Sequence, residues 1–306
     1  MNSFTANTTR LGYIGLGGMG SRIVGRLLAA GYEVAVFDLI PAKRDALQAK
    51  GARACESAAA LASSVDVVLS CLTNDQAVRD VYFGESGVLA NAKPGTVVIE
   101  MSTILPATSR EVASKGSQAG IQVLDVAISG STPAAEQGTL TLLGGGDPDV
   151  FQASVPVFQA IAAKHFHLGP SGAGTTMKMV VNAILGIGMQ AIAEAAAMGE
   201  KAGLSREILL QVLSQTAVIA PAHLGKLARA ARGDYSPQFP LALMNKDLRL
   251  ILQLAGEVGA AMPATSAALE VNTETLGKHG DLDFSAVMEY MEETSTKLDS
   301  RHFATR

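Results

Sequence analysis

The sequence predicts an α/β domain with a mostly parallel, doubly wound sheet over residues 1–168, followed by an all-α domain over residues 169–306. In the first half, short apolar runs alternate with helical patterns, an order typical of βαβ units. The apolar runs are unbroken, as expected of strands that are covered on both faces. After about Gly169 the strand pattern stops and only helical patterns follow.

The elements of the first domain follow one another at regular intervals. Pro41, Pro106 and the pair Asp147-Pro148 mark helix starts, because proline suits the first helical turn and aspartate caps it. Helices are predicted at Met19–Ala30, Ala42–Ala49, Gln76–Tyr82, Ala107–Ala119 and from Pro148 onward. Strands are predicted at Leu11–Leu16, Glu33–Phe37, Asp66–Leu69, Thr96–Ile99, Ile121–Val126, Leu140–Leu143 and Lys164–Leu168.

The second domain begins with a long apolar helix. The stretch from Met177 to Met198 carries Glu194, which a bilayer would resist, so we expect a core helix and not a membrane span. We predict that it is buried between the domains and against a second subunit. Helices are predicted at Thr175–Ala202, Ser205–Ser214, Ala222–Arg232, Met244–Val258, Ala264–Gly277 and Phe284–Glu293.

Composition and charge exclude several classes of protein. Hydrophobic residues make up 48% of the chain and charged residues 17%, a globular composition. A net charge of −4 argues against nucleic acid or an anionic membrane surface as a partner. Cys55 and Cys71 are expected to be buried thiols, with neither a disulfide framework nor a zinc cluster. The polar first ten residues show no signal-peptide pattern, and we expect a cytoplasmic protein.

A glycine-rich turn lies between the first predicted strand and the first predicted helix. In a Rossmann domain, a GxGxxG turn there lets the chain turn tightly, lets a pyrophosphate approach the backbone and lets the helix pack on the strand. Free N–H groups at the helix start would then hold the anion. We therefore predict a dinucleotide site at Gly15, Leu16, Gly17, Gly18, Met19 and Gly20. Glycines used only for packing are the alternative.

An acidic residue ends the second predicted strand. Asp38 lies 23 residues after Gly15, where a carboxylate accepts hydrogen bonds from the adenine ribose and repels a 2′-phosphate. The sequence thus favours NAD as the cofactor. NADP is the alternative, because Lys43 and Arg44 follow closely on the next predicted helix.

If the bound dinucleotide transfers a hydride, the protein must also supply a side chain that donates or accepts a proton. No tyrosine is followed four residues later by lysine, which excludes the short-chain dehydrogenase pair, and zinc ligands are lacking. Lys178 and Asn182 are four apart and share one face of the apolar helix. Burial there would lower the pKa of Lys178 toward a useful range. The alternative is that Lys178 reaches water along the domain surface.

A second candidate segment follows a strand of the predicted sheet. Ser129, Gly130 and Ser131 offer hydroxyl and N–H groups at the carboxyl end of that strand, where open α/β sheets bind ligands. These groups suit a small carboxylate. An ordinary glycine turn would have the same sequence.

Four motifs occur in the order found in one enzyme family: GLGGMG, DVAISGSTPAAEQGTL, GAGTTMKMVVN and NKDLRL. From about Leu11 to Glu293, the chain resembles the β-hydroxyacid dehydrogenases. This family includes 3-hydroxyisobutyrate dehydrogenase, tartronate semialdehyde reductase and the glyoxylate/succinic semialdehyde reductases. The resemblance implies a 6-phosphogluconate dehydrogenase-like oxidoreductase that transfers a hydride between NAD(H) and a small 3-hydroxy acid or its semialdehyde.

The resemblance also implies roles for individual residues. Lys178 matches the family's catalytic lysine, the general acid in reduction and the general base in oxidation, and Asn182 matches an asparagine that holds the substrate. Substrate-binding positions are matched by Ser129, Gly130, Ser131 and Asp247. Positions near the cofactor are matched by Leu72, Thr73, Thr103 and Lys246.

The chain departs from the family pattern at three places. Ser131 stands where the commonest form has glycine, a feature of the glyoxylate/succinic semialdehyde reductase branch. Asp38-Leu39 replaces the Asn-Arg pair of that branch, which prefers NADPH. The Ser-Trp that many members place over the substrate is lacking, so we expect Ile219, His223 and Phe239 to reshape the pocket.

Three functions therefore remain open from the sequence. The favoured one is an NAD-dependent dehydrogenase of a small carboxylate-bearing substrate, acting as a homodimer or homotetramer. The first alternative is an NADPH-dependent glyoxylate/succinic semialdehyde reductase. The second is a non-catalytic nucleotide-binding module of the same fold, which the retained Lys178 argues against.

Overall fold

A computed structural model describes residues 2–303, and side chains up to residue 296. By its internal contacts the chain divides into two compact units that meet in sequence at Met179 and Val180. The first unit contains an eight-stranded sheet, and the second unit is helical in its described part.

The sheet of the first unit has strands β1 to β8. Their order across the sheet is β3-β2-β1-β4-β5-β6-β7-β8, and every neighbouring pair is parallel except β6 and β7. The strand order reverses between β1 and β4, so the open crevice of a doubly wound sheet lies at their carboxyl ends. The strands are Arg10–Ile14, Glu33–Phe37, Arg53–Ala54, Val67–Ser70, Val97–Glu100, Gln122–Ser129, Leu140–Gly145 and Ala162–His167.

Among the described residues, helices α1 to α9 lie wholly in the first unit. Two apolar layers cover the faces of the sheet, because successive residues of each strand point to opposite faces. One layer contains Tyr13 and side chains of α1, and the other contains Ile14 and side chains of α4. The helices are Gly20–Ala29, Pro41–Gln48, Ala58–Ala62, Asp75–Tyr82, Val88–Asn91, Pro106–Gln118, Thr132–Gln137, Pro148–Ala153 and Val155–Ile161.

The described part of the second unit consists of α10 from Val180 onward, followed by helices α11 to α15. A short 3-10 helix, Phe284–Ala286, precedes α15. These helices are Ala173–Lys201, Arg206–Leu213, Pro221–Ala230, Leu241–Val258, Pro263–His279 and Val287–Phe303.

The predicted fold class is confirmed, and the structure differs from the sequence prediction in several short elements. Strand β3 and helices α3, α5 and α7 were not predicted, since each has only two to six residues. The helix predicted from Pro148 is two helices separated at Ser154. The expectation of two buried thiols is half wrong, because Cys55 is buried but Cys71 is only partly buried.

Helix α10 is long and apolar enough that its length and composition alone would let it cross a membrane. The core helix of a soluble protein passes the same test, and half of the most apolar window of α10 is buried. Its apolar character is therefore weak evidence of a membrane span.

Candidate active site

The glycine turn joins β1 to the ten-residue helix α1. Gly15 has a φ of 93°, and a Cβ there would lie 2.3 Å from the carbonyl oxygen of Cys71. A Cβ at Gly20 would lie 2.0 Å from the carbonyl oxygen of Gly15. At Gly17, by contrast, no described heavy atom lies within 4 Å of such a Cβ. The turn is thus packed tightly on the inside and open at Gly17, where the helix start can receive a pyrophosphate.

We expect Gly20→Ala to weaken dinucleotide binding by about 5- to 150-fold, because the new methyl group must push α1 away from Gly15 and overpacking costs about 1–3 kcal/mol. Isothermal titration with NADH measures the change. Gly25→Ala is the matched control, since Gly25 lies on the same helix and its Cβ would meet no described atom within 4 Å. Equal affinities of the two variants would contradict the packing role of Gly20.

Asp38, immediately after β2, supports the glycine turn directly. Its Oδ2 accepts a hydrogen bond from the N–H of Leu16 at 2.7 Å, and its Oδ1 accepts one from Ile40 at 2.9 Å. The side chain is only 11% exposed, and the Nζ of Lys43 lies 3.6 Å from Oδ2. Asp38 was predicted to bind the ribose, and its bond to Leu16 was not predicted. The carboxylate therefore holds the second residue of the turn as well as offering lone pairs beside it.

The segments after β4 and β5 are tied together. The N–H of Leu72 donates to the Oγ of Ser102 at 2.7 Å, and the N–H of Ser102 donates to Oε1 of Glu100 at 2.9 Å. Leu72 and Thr103 are partly buried and Thr73 is exposed. Ser102 and Glu100 were not predicted as site residues. The sequence signal that could have found them is a glutamate at the end of an apolar strand, two residues before a serine.

The Ser129–Ser131 segment lies at the carboxyl end of β6. Ser129 is the last residue of that strand, and Ser131 immediately precedes α7. Ser129 and Ser131 are partly buried and Gly130 is exposed. These positions can present hydroxyl and N–H groups to an anion at this edge of the sheet.

Helix α10 is held at its start by a buried carboxylate. Asp125 of β6 accepts hydrogen bonds from the N–H groups of Gly172 at 2.8 Å and Thr175 at 2.9 Å. Lys178 follows one turn later and is only 9% exposed. The alternative that Lys178 reaches water is therefore disfavoured, because nearly all of the residue's surface is covered.

Asn182, one turn after Lys178 on α10, is oriented by Asp247 of α13. The Nδ2 of Asn182 donates to Oδ2 of Asp247 at 2.6 Å, and the Nζ of Lys246 lies 3.0 Å from the other carboxylate oxygen. A carboxylate can only accept, so the amide nitrogen of Asn182 must face it. The buried Oδ1 of Asn182 then accepts no hydrogen bond from any residue that the structure describes.

The candidate residues are distributed along the chain as follows. Those in the first unit are the glycine turn, Asp38, Leu72, Thr73, Thr103, Ser129–Ser131 and Lys178, and those in the second unit are Asn182, Lys246 and Asp247. Of the residues expected to reshape the pocket, Ile219 is buried, and Phe239 stacks edge-on against Phe284. The ring of His223 bonds to the carbonyl oxygen of Leu185, and so joins α12 to α10. Among the described residues, no cluster of three or more metal-ligating side chains is present.

Comparison with known proteins agrees with this fold and these motifs. Residues 10–169 match the family model of the NAD binding domain of 6-phosphogluconate dehydrogenase. Residues 172–291 match the model described as NAD-binding of NADP-dependent 3-hydroxyisobutyrate dehydrogenase. Fold and motifs together define an NAD(P)-dependent oxidoreductase.

The chain belongs to the β-hydroxyacid dehydrogenase family. It is 36% identical over 294 residues to an NAD-dependent L-serine dehydrogenase of Pseudomonas aeruginosa, covering 93% of this chain and 98% of that protein. It is 36% identical over 281 residues to glyoxylate/succinic semialdehyde reductase 1 of Arabidopsis thaliana, covering 91% and 97%. The solved structure of Mycobacterium tuberculosis 3-hydroxyisobutyrate dehydrogenase with L-serine has a TM-score of 0.85 and 33% identity, covering 92% of this chain and 99% of that one.

Proposed function

We propose that this protein oxidises a small 3-hydroxy acid, or reduces the corresponding semialdehyde, with NAD(H) as cofactor and Lys178 as general acid and base. The observation that carries the proposal is the nearly complete burial of Lys178 one turn before Asn182, whose Oδ1 is left to accept a hydrogen bond. The proposed dinucleotide-binding domain is residues 1–168, which also supply Ser129–Ser131 to the substrate, and the proposed substrate and oligomerisation domain is residues 169–306, which also supply Lys246 to the cofactor. The family membership and its named relatives support the proposed activity.

The residues of the chain would share the work of binding and proton transfer. The N–H groups at the start of α1 hold the pyrophosphate, while Leu72, Thr73, Thr103 and Lys246 line the rest of the dinucleotide. When bound, the cofactor supplies the hydride acceptor or donor. Ser129, Gly130 and Ser131 hold the substrate carboxylate, which fixes the carbinol carbon within reach of the nicotinamide.

The proton moves separately from the hydride. In oxidation, Lys178 takes the hydroxyl proton as the carbonyl forms, and in reduction it returns the proton to the carbonyl oxygen. Asn182 accepts a hydrogen bond through Oδ1, so it favours a substrate group that carries a hydrogen, such as the hydroxyl. Asp247 keeps the amide in that orientation.

The deciding experiment follows the absorbance of reduced nicotinamide with NADH and NADPH. The panel contains 3-hydroxyisobutyrate, L-serine, tartronate semialdehyde, glyoxylate and succinic semialdehyde. Turnover of a 3-hydroxy acid or its semialdehyde with NADH preferred is the expected result. Preference for NADPH with glyoxylate would favour the alternative reductase, which has a serine at the position of Ser131. Tight cofactor binding without any turnover would favour the non-catalytic module.

The preference for NAD is tested at Asp38. We expect Asp38→Asn to narrow the ratio of kcat/KM for NADH over NADPH by about tenfold, because the charge that repels a 2′-phosphate is lost while an oxygen remains to accept from Leu16. Asp45→Asn on α2 removes an exposed charge nearby and is the control. An unchanged ratio in Asp38→Asn would show that the carboxylate does not select the cofactor.

The assembly and location are part of the same proposal. Met177, Val180 and Ile184 of α10 are apolar and at least one-third exposed, and this stripe is proposed to pack against a second copy in a homodimer or homotetramer. A cytoplasmic location completes the proposal. A strictly monomeric species at micromolar concentration in light scattering would contradict the proposed assembly.

A further inference from the structure

A row of buried polar side chains crosses the centre of the sheet. Ser70, Glu100 and Asp125 are paired in register on β4, β5 and β6, so their side chains lie on the same face. Glu100 is 1% exposed and Asp125 is 2% exposed. Two acidic side chains in register and fully buried are costly, and such a pair needs a reason.

Glu100 is bonded to both segments that line the proposed cofactor site. Its Oε1 accepts from the N–H of Ser102 at 2.9 Å and from the Oγ of Ser70 at 3.4 Å. The hydroxyl of Tyr82 lies 2.7 Å from the same Oγ, and Ser102 accepts in turn from Leu72. The second carboxylate oxygen of Glu100 is buried and accepts no hydrogen bond from the described residues. Glu100 is thus linked through Ser102, the residue before Thr103, to Leu72, and its second carboxylate oxygen is left without a described donor.

Asp125 is bonded instead to the helix that carries Lys178. Its two oxygens accept from Gly172 and from Thr175, including the Thr175 hydroxyl at 3.3 Å. The chain leaves room for this carboxylate, because a Cβ at Gly145 would lie 2.6 Å from Oδ1 of Asp125. Asp125 therefore has the partners that an ionised carboxylate requires, whereas Glu100 has them on one oxygen only.

The surroundings of Glu100 favour its neutral form. Burial raises the pKa of Glu100 to about 7, with a further increase from the charge of Asp125, while the bonds from Ser102 and Ser70 act in the opposite direction. Burial also raises the pKa of Asp125, against its bonds to Thr175 and Gly172. The other titratable groups nearby are Tyr13 of β1, Tyr82 of α4 and Cys71 after β4, with Lys178 three residues beyond Thr175.

We propose that Glu100 and Asp125 are a positioning pair for the proposed dehydrogenase site. Asp125 is ionised and caps the start of α10. Glu100 gains and loses a proton, and its charge changes how strongly the segments around Leu72 and Thr103 hold the oxidised cofactor. The inference rests on the proposed function. An ionised Glu100 attracts the positive charge of the oxidised nicotinamide, which the reduced form lacks. The ratio of affinities for NAD⁺ over NADH then rises as Glu100 ionises, by about threefold to tenfold, the size expected of a weak attraction between two opposite charges that are not in contact.

The first test detects the proton itself and needs no turnover. Infrared spectra of the whole protein, taken from about pH 6 to about pH 8, should show the carbonyl stretch of a protonated carboxylic acid that disappears as the pH rises. Glu100→Gln should remove this band, and Glu257→Gln, an exposed glutamate of α13, should leave it unchanged. In Asp125→Asn the band should disappear at lower pH, because a neighbouring negative charge has gone.

The second test measures the dissociation constants of NAD⁺ and NADH over the same range without substrate. The affinity ratio should rise with pH in the unaltered protein and in Glu257→Gln, and should be constant in Glu100→Gln. A merely structural glutamate would change both affinities at every pH and leave the pH dependence in place.

The two failures can be told apart. An absent infrared band, or the same pH dependence of the ratio in Glu100→Gln, would overturn this inference and leave the proposed function standing. Failure of the unaltered protein to bind either form of the cofactor would overturn the proposed function, and the positioning role with it.

Discussion

Replacement of Lys178 by alanine is expected to lower kcat/KM about 10²–10⁴-fold, which is the usual contribution of a positioned general acid or base. Lys178 is nearly buried on α10, and alanine supplies no group to take or return the proton. Cofactor affinity should change little, since the proposed dinucleotide contacts lie elsewhere. Steady-state kinetics with the best substrate, beside direct titration with NADH, measures both quantities.

Two further variants separate proton transfer from charge and from helix stability. Lys178→Arg keeps the positive charge but stays protonated, so we expect activity as low as that of the alanine variant. Lys201→Ala changes an exposed lysine at the other end of the same helix and should retain activity. Restored turnover in Lys178→Arg would indicate that the lysine acts only by its charge.

Replacement of Asp283 by alanine is expected to lower the free energy of unfolding by about 3–5 kcal/mol, because it leaves a buried charge unpaired. Oδ2 of Asp283 accepts from the Nζ of Lys226 at 2.6 Å and from the N–H groups of Gln238 and Phe239. Oδ1 accepts from the N–H and hydroxyl of Ser285. Denaturant unfolding followed by circular dichroism measures the loss.

The control and a compensating variant make this prediction specific. Asp281→Ala alters an exposed aspartate two residues earlier and should change stability by less than about 0.5 kcal/mol. Adding Lys226→Met to Asp283→Ala should recover part of the loss, since no unpaired charge remains. A double variant as unstable as the single one would mean that the backbone N–H groups, and not Lys226, depend on Asp283.

The pH dependence of this contribution has a definite sign. Burial alone would raise the pKa of Asp283, but Lys226 and the N–H groups of Phe239 and Gln238 outweigh burial and hold the pKa of this carboxyl below its ordinary value. A lowered pKa in the folded state means that the carboxylate stabilises the protein above the unfolded pKa. This stabilisation is lost as the pH falls through the folded pKa. The difference between the unaltered protein and Asp283→Ala should therefore shrink in strong acid.

The long, regular patterns of the sequence predicted most of the fold. Glu33–Phe37 was predicted with its observed bounds, and the boundaries of β1 and α1 differ by one or two residues. Helix α3 was missed because five residues show no helical period, although Ser57 caps it by accepting from the N–H of Ala60. The hydrophobic pattern could not predict that β7 pairs with β6 in the antiparallel sense, because the direction of a strand depends on where the chain returns to the sheet.

The candidate site was predictable where one motif contains it and not where two distant segments meet. The glycine turn and the Lys178–Asn182 spacing are local, so their geometry follows from helix and strand periods. The bond from Asn182 to Asp247 spans 65 residues, and the bond from Leu72 to Ser102 spans 30. Such partners are chosen by packing of the whole fold, and neither segment alone specifies the other.

The reversal of strand order between β1 and β4 also bears on how the chain folds during synthesis. Once residues 10–37 have emerged, β1 can pair with β2, but its other edge stays open until β4 arrives, more than 50 residues after β1 begins. The carbonyl group of Cys71, which closes the inner side of the turn at Gly15, arrives with that strand. A nascent chain that ends before β4 therefore has the complete glycine sequence but only one wall of the nucleotide-binding turn. Ligand capture has to wait for this long-range step, which is slower to form than a local hairpin or helix.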